Sequence, residues 1–360
     1  MNKVSIREDF RRDGLCMNFL VNSKMMNHLA KAFPYSIFNI GYPAICSEEA
    51  NFCKEITLNL SSLPVETAVV GHALNSHLKT MANISNLANN TSANFWIPFS
   101  ENMIKKTLKI TPSQLLDHTI SMVKSWKNLS DRPIDIALVD ATAEEENLDK
   151  RLQVYFETLK SAGVRSIIVC DTKGIANVSK LEKLFSLIKT DLREIEFHPH
   201  DDKKQALNNI NALIMMGVKR IGTAVYGYGE RASMIDPRIL VKKYSLKFNQ
   251  ADFDKFEQEY KELIISLKEK EPIFTSDCVI TGTQYRLWGR NSQKTIKFGI
   301  TSDKYILSKI TNIELAKISD SLLSYIKDCM YKDKKRTYSK NELSQKIIEY
   351  CYDSEKRFEL

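Results

Sequence analysis

The chain has 360 residues, 43% of them hydrophobic, and a formal net charge of +8. That length can bury one large core and a smaller one, and no apolar run approaches the roughly 20 residues that a membrane helix needs, so no membrane partner is expected. The start, MNKVSIREDFRRDG, lacks the apolar stretch of a signal peptide, and seven scattered cysteines without a CxxC pair fit reduced thiols; both point to a cytoplasmic protein.

In chain order, eight short apolar runs recur: VSIREDF (4–10), YSIFNIGYPA (35–44), VETAVVGHA (65–73), NFWIPFS (94–100), IDIALVDAT (134–142), SIIVCDT (166–172), EIEFHPH (194–200) and RIGTAVYGYGE (220–230). Between them lie longer amphipathic segments. In LDKRLQVYFETLKSAG (148–163), Leu148, Leu152, Tyr155, Phe156 and Leu159 share one helical face. This segment and KKQALNNINALIMMG (203–217) both end in glycine, as helix C-termini often do. Strand and helix alternating eight times predict a (β/α)8 TIM barrel. An open, doubly wound sheet is the alternative, although no glycine-rich dinucleotide fingerprint follows the first strand. Beyond about residue 240 the alternation stops. The sequence predicts a barrel over 1–245, a helical connector over 246–271 and a mostly helical C-terminal appendage over 272–360. The basic run YKDKKRTYSK (331–340) reads as a solvated helix end rather than a nucleic-acid patch. The overall basic character suits anionic substrates such as polycarboxylates or coenzyme A.

A barrel places its chemistry at the C-terminal ends of its strands. Polar residues gather at those positions: Arg12 and Asp13 after the first strand, Asn39 on the second, Asp140 and Thr142 on the fifth, Asp171 and Thr172 on the sixth. His198 and His200 end the seventh, and Glu230 and Arg231 follow the eighth. His198 and His200 stand two apart on a strand and so point to the same side, where two neutral imidazoles suit a divalent metal.

Five motifs then carry a family resemblance. RRDGLC (11–16) resembles the R-D-G-x-Q signature of the DRE-TIM metallolyases, IGYPA (40–44) their G-F-P-A turn and CDTKG (170–174) their D-T-x-G. HPHDD (198–202) resembles H-x-H-N-D, and GYGERA (227–232) resembles G-x-G-E-R-A. The likeness covers residues 3–245 and extends more faintly through IKFGITSDKYILSKI (296–310), toward the branch of isopropylmalate, homocitrate and citramalate synthases. The resemblance implies a divalent metal (Zn, Mn or Mg) held by Asp13, His198 and His200. It implies a 2-oxo acid bound at Thr172, Asp140, Asn39 and Arg231, with Arg12, Glu230 and Tyr285 in catalytic roles. The implied reaction is a Claisen-type condensation of an acyl-CoA with the 2-oxo acid, in a homodimer whose appendage, residues 272–330, packs across the subunit interface.

The departures fall at the chemistry. Cys16 replaces the family glutamine, Asn39 a strand-two acid, Val139 and Ala143 the Glu and Arg of E-D-x-x-R, Asp201 an asparagine, and Met234 an asparagine of the metal shell. All six histidines lie at or before His200, whereas the synthases use histidines in the appendage; CVITGTQYRLWG (278–289) offers Gln284 and Tyr285 instead. Val139, Ala143, Leu74 and Phe99 are expected to make an apolar side-chain pocket, favouring a small or apolar 2-oxo acid. Two other readings stay open: a metal-dependent aldolase or lyase acting without coenzyme A, and a non-catalytic relative that keeps the fold.

Overall fold

The computed structural model describes residues 4–15, 21–188, 192–262, 264–265, 278–279, 295–335 and 337–357. Each apolar run forms a strand: β1 (Ser5–Glu8), β2 (Ile37–Gly41), β3 (Glu66–His72), β4 (Thr91–Pro98), β5 (Ile134–Val139), β6 (Ser166–Asp171), β7 (Ile195–Pro199) and β8 (Arg220–Thr223). The eight are parallel neighbours in chain order, and β8 closes on β1 with Ser5 opposite Arg220 and Glu8 opposite Thr223. Closure settles the choice between a barrel and an open sheet: the protein is a (β/α)8 barrel with a helical C-terminal part.

The outer helices follow from the sequence pattern. The helix Leu148–Ser161 buries Leu148, Leu152, Tyr155, Phe156 and Leu159, the five residues of its predicted face. The helix Pro112–Lys127 starts at a capping box, in which Thr111 and Gln114 satisfy each other's backbone amides. At the second of the glycine-ended segments, Gly217 caps its helix with φ of 117°.

The lumen departs from an ordinary barrel, whose interior is filled mainly by branched aliphatic residues. Arg7 on β1 is fully buried and donates to Glu196 on β7 at 2.6 Å, to Asp135 on β5 at 2.6 Å and to Asn39 on β2 at 3.1 Å. Strands β1 and β5 lie on opposite sides of the barrel, so the Arg7–Asp135 contact crosses the lumen. Arg165, just before β6, continues the network to Asp135 and, at 2.8 Å, to Glu66 on β3. Above this charged floor lies a small apolar layer of Ala137, Ile168 and Cys170, with Trp96 against it.

The C-terminal part builds a second core from Phe298, Ile300, Ile306, Leu307, Ile326 and Met330, together with Cys46 from the loop after β2. Its central helix, Asp320–Lys332, seats on the barrel helix Ser47–Asn59. The residue before that barrel helix, Cys46, makes no side-chain cap. Asp328 supplies one instead, accepting from Ser47 Oγ at 2.9 Å and from the Glu48 amide at 3.1 Å. Arg11 Nη2 donates both to Tyr331 Oη at 3.0 Å and to buried Glu49 at 2.7 Å. Glu49 reaches under the β2 end only because Gly41, at φ +146°, has no side chain: a Cβ there would lie 2.2 Å from Glu49 Oε1. Residues 298–330 thus pack on the barrel of their own chain. Most of 272–294 lies outside the described residues.

Burial opposes ionisation of Asp135, but Arg165 and Arg7 outweigh it and hold its carboxyl down to about 2. A depressed carboxylate contributes stability that is present above its unfolded pKa of about 3.9 and is lost as pH falls toward the folded value. Two outcomes are expected in denaturant titrations. Arg7→Met, which strands two buried carboxylates, should lose roughly 3–5 kcal/mol at pH 7. Asp135→Asn should flatten the acid limb between about pH 4 and 2.

Candidate active site

The barrel mouth is built where β7, β8 and the short helix Phe10–Leu15 converge. His198 and His200 end β7 on one side of the strand, with ring centroids 5.3 Å apart. Both are buried. His198 Nδ1 faces Asp9 Oδ2 at 3.3 Å. In neutral His198 that contact places the proton on Nδ1 and leaves Nε2 as the ligating nitrogen. Asp9 is itself buried. Burial resists its charge, but the hydrogen bond and charge of His198, followed by Arg12 and Asn39, bring its carboxyl below the usual range. Burial, then Arg231, His198 and Arg12, pushes His200 well below its ordinary value despite a hydrogen bond to the Glu230 backbone. His200 is therefore neutral at physiological pH, and its Nδ1 is buried with no hydrogen-bond partner.

Asp13 sits across from this pair. Its Oδ1 accepts from Arg12 Nη1 at 3.0 Å, and its Oδ2 accepts from the Glu230 amide at 3.1 Å and Ser233 Oγ at 3.3 Å. Gly229 makes room for it, since a Cβ there would lie 2.1 Å from Asp13 Oδ2. The segment 229–233 thus touches both Asp13 and His200.

The structure separates the remaining site residues. Arg12, with 31% of its side chain exposed, faces outward over the mouth. Asn39 lies deeper, accepting from Arg7 and donating to Asp9, and so joins the charged floor to His198. Asp140, at φ 64°, turns toward Ser100 Oγ (2.6 Å) and Lys173 Nζ (3.1 Å). Thr172 Oγ1 accepts the Asp140 amide at 2.7 Å, a local strand-end bond. Arg231 ties three strand ends together. It donates to Asp202 at 3.1 Å, to Glu230 at 3.3 Å and to the Thr172 carbonyl. Burial raises the Glu230 carboxyl. Tyr285 and Gln284 lie outside the described residues.

The expected apolar pocket does not form. Phe99 stacks edge-on against Tyr155 of an outer helix at 5.2 Å, and Leu74 is 46% exposed. Two residues missed by sequence reasoning stand at the mouth instead: His72 at the end of β3 and Trp96 on β4, with ring centroids 3.6 Å apart. Asp9 was missed as well. Its signal was available, since it is two residues after Arg7 and so shares that residue's inward phase.

A family model described as HMGL-like matches residues 11–241. The chain belongs to the HMGL-like family. It is 27% identical over 201 residues to a probable 2-isopropylmalate synthase of Archaeoglobus fulgidus, a match covering 56% of this chain and 38% of that protein. A 2-isopropylmalate synthase of Staphylococcus carnosus is 26% identical over 236 residues, covering 64% and 44%. The chain thus spans less than half the length of these curated relatives. Among solved structures, an HMG-CoA lyase of Bacillus subtilis superposes with a TM-score of 0.62 at 18% identity, covering 76% of this chain and 96% of the other. The lyase of Pseudomonas aeruginosa gives 0.61 at 15% identity, covering 75% and 95%. No helix among the described residues is long and apolar enough to cross a membrane.

Members of this family generally depend on a divalent metal. Among the described residues, no three His, Cys, Asp or Glu side chains cluster as a ready-made ligand set. The donor chemistry nonetheless fits such an ion: a neutral His200 with an orphaned buried nitrogen, a His198 oriented by Asp9, and the Asp13 carboxylate held by the segment 229–233. Elemental analysis of the purified protein should find about one divalent ion per chain, lost in His198→Ala and His200→Ala. A wild-type protein that is metal-free and cannot be loaded would remove this site.

Proposed function

We propose that the protein catalyses carbon–carbon bond chemistry at the ketone of a 2-oxo acid, with an acyl-CoA as the second substrate, in the manner of the 2-isopropylmalate and homocitrate synthases. The observation that carries this reading is the buried imidazole pair His198 and His200, on the same face as Asp13 and Arg12 at the mouth of an HMGL-like barrel. Asp13, His198 and His200 would hold the divalent ion, which when bound supplies Lewis-acid polarisation of a ketone.

The chain's own groups supply the rest. Arg12 carries a positive charge where negative charge develops on the ketone oxygen. At the β5–β6 rim Thr172, whose Oγ1 accepts the Asp140 amide, offers its hydroxyl hydrogen to the acid end, and Asp140 acts there by holding the Lys173 ammonium. Arg231, anchored on Asp202, Glu230 and Thr172, keeps the rim of β6, β7 and β8 in register, a positioning role. Asn39 acts from below by steadying Asp9, which in turn orients His198. Forming a nucleophile from a thioester methyl requires a base. Glu230, whose buried carboxyl is raised, and Tyr285 are the residues proposed for moving that proton. The proposed assembly is a cytoplasmic homodimer.

A lyase reading rests on a specific observation: no histidine lies beyond residue 200, so the nucleophile half of a synthase site lacks its imidazoles. Cleaving a bond uses the same electrophile half. The two are separated by thiol release. Metal-loaded protein mixed with a panel of 2-oxo acids and acyl-CoAs should liberate free coenzyme A under the synthase reading. Cleavage or formation of a 2-oxo or 3-hydroxy acid with no thiol released identifies the lyase. Silence in both assays leaves a non-catalytic relative.

A further inference from the structure

Arg12 and Asp13 sit on a weak element. The helix Phe10–Leu15 has six residues and includes Gly14. A helix that short does not hold itself in water, and a glycine loosens it further. Its geometry must come from what its side chains and amides grip. Glu8 accepts the Phe10 amide at 2.8 Å, and the Glu230 amide and Ser233 Oγ hold Asp13. A further grip is Arg11, which turns away from the mouth toward the outer helix Ser47–Asn59. Its Nη2 donates to Glu49 at 2.7 Å and to Tyr331 Oη at 3.0 Å, and its guanidinium lies 4.2 Å over the Phe52 ring. The side chain is 1% exposed.

These contacts close a circuit. Asp328 and Tyr331 stand three apart on the helix Asp320–Lys332 and so share a face. Asp328 accepts from Ser47 Oγ and from the Glu48 amide at the start of the barrel helix. Glu49, the next residue, accepts from Arg11, and Arg11 donates back to Tyr331. The bonds leave the C-terminal helix, cross the barrel helix and the turn that bears Arg12, and return to the C-terminal helix. Arg11 is thus gripped by two elements that are tied to each other. Such a circuit fixes the rotation of the Phe10–Leu15 helix, and with it the direction of Arg12, about 100° further around.

The chemistry of the seam favours position over stability. Burying a guanidinium is costly, and a hydrocarbon of similar volume is often at least as stable. Arg11 is only partly compensated, since its Nε and Nη1 are buried without a hydrogen bond among the described residues. What a bonded fork adds is direction.

We infer that Arg11 and Tyr331 are positioning residues of the mouth: through them the C-terminal helix sets Arg12 and Asp13 against the imidazole pair, and the metal site reaches full affinity only with that helix docked. The inference rests on the reading of the mouth given above and adds to it two residues that act through their neighbours.

The test is calorimetric titration of the full chain, stripped of metal, with Mn2+ and separately with Zn2+, with His198→Ala as the blank for binding elsewhere. Thermal unfolding of the same metal-free samples runs alongside. Tyr331→Phe removes one hydroxyl and leaves the Arg11–Glu49 pair. It should weaken metal binding about three- to tenfold, the range of one hydrogen bond, while the unfolding midpoint moves by less than about 3 °C. Arg11→Leu should weaken binding about tenfold or more, and Arg11→Lys should restore part of it. In the Arg11→Leu background, Tyr331→Phe should have no further effect on metal affinity, since the hydroxyl acts through the guanidinium. Lower stability with unchanged metal affinity in both single variants makes the seam structural alone and overturns the inference while the metal site stands. An equal loss from Tyr331→Phe with and without Arg11 also overturns it. A wild type that binds neither ion overturns both the metal site and the inference. If Arg11→Leu fails to fold, Tyr331→Phe decides alone: metal affinity within about twofold of wild type refutes the positioning role.

Discussion

A single guanidinium organises the barrel. Arg7 has three directed donors satisfied by groups on β2, β5 and β7, so one side chain fixes the relation of strands that are not neighbours. Removing such an ion from water is costly, and only near-complete pairing offsets that cost. The pairing here is nearly complete: Asp135 and Glu196 are also fully buried, Arg165 shares Asp135, and only Glu196 Oε2 of their four oxygens lacks a hydrogen bond. A hydrocarbon filling would be at least as stable in many proteins. A charged filling instead imposes direction, since a hydrogen-bonded fork tolerates little rotation of the strands that carry it.

That direction propagates upward. Arg7 holds Asn39, Asn39 holds Asp9, and Asp9 faces His198. The imidazole at the mouth is thus oriented from Arg7 on the floor of the barrel through two intermediates, Asn39 on β2 and Asp9 just past β1. Preorganisation of this kind is what a reaction that develops charge requires. The mouth itself is asymmetric. The β7–β8–β1 side holds the imidazole pair and Asp13, the β5–β6 rim holds Thr172 and Asp140, and the β2–β4 side holds the rings of Tyr42, His72, His77 and Trp96.

Much of this was legible in the sequence. The eight apolar runs and the helical face of Leu148 to Leu159 follow from two periodicities that do not depend on tertiary context. His198 and His200 could be paired because strand geometry alone puts them on one side. Arg7, Glu66, Asp135 and Glu196 also left a trace, as charges set inside apolar runs in the inward phase, but a strand pattern does not say which charges meet across a lumen. Asp140 and Thr172 were placed correctly at strand ends, yet the positive φ of Asp140, which turns it toward Ser100 and Lys173, has no sequence signal in a non-glycine residue. Phe99 was assigned to the wrong face because it is the first residue past β4, where alternation ceases to apply. The burial of Lys327 was invisible: on a helical wheel it is one of two lysines, and its burial depends on a barrel helix that ends 268 residues earlier.

The cap that Asp328 gives to the helix at Ser47 ties together residues 281 apart in the chain. At about 5–20 residues per second of synthesis, roughly 15 to 55 seconds separate the emergence of that helix from that of its cap. Throughout that interval the β2–β3 corner must persist with its first amides open to water. That corner is therefore completed only after the helix Asp320–Lys332 has been made. The arrival of the helix Asp320–Lys332 satisfies those amides and seats the second core on the barrel in one docking event.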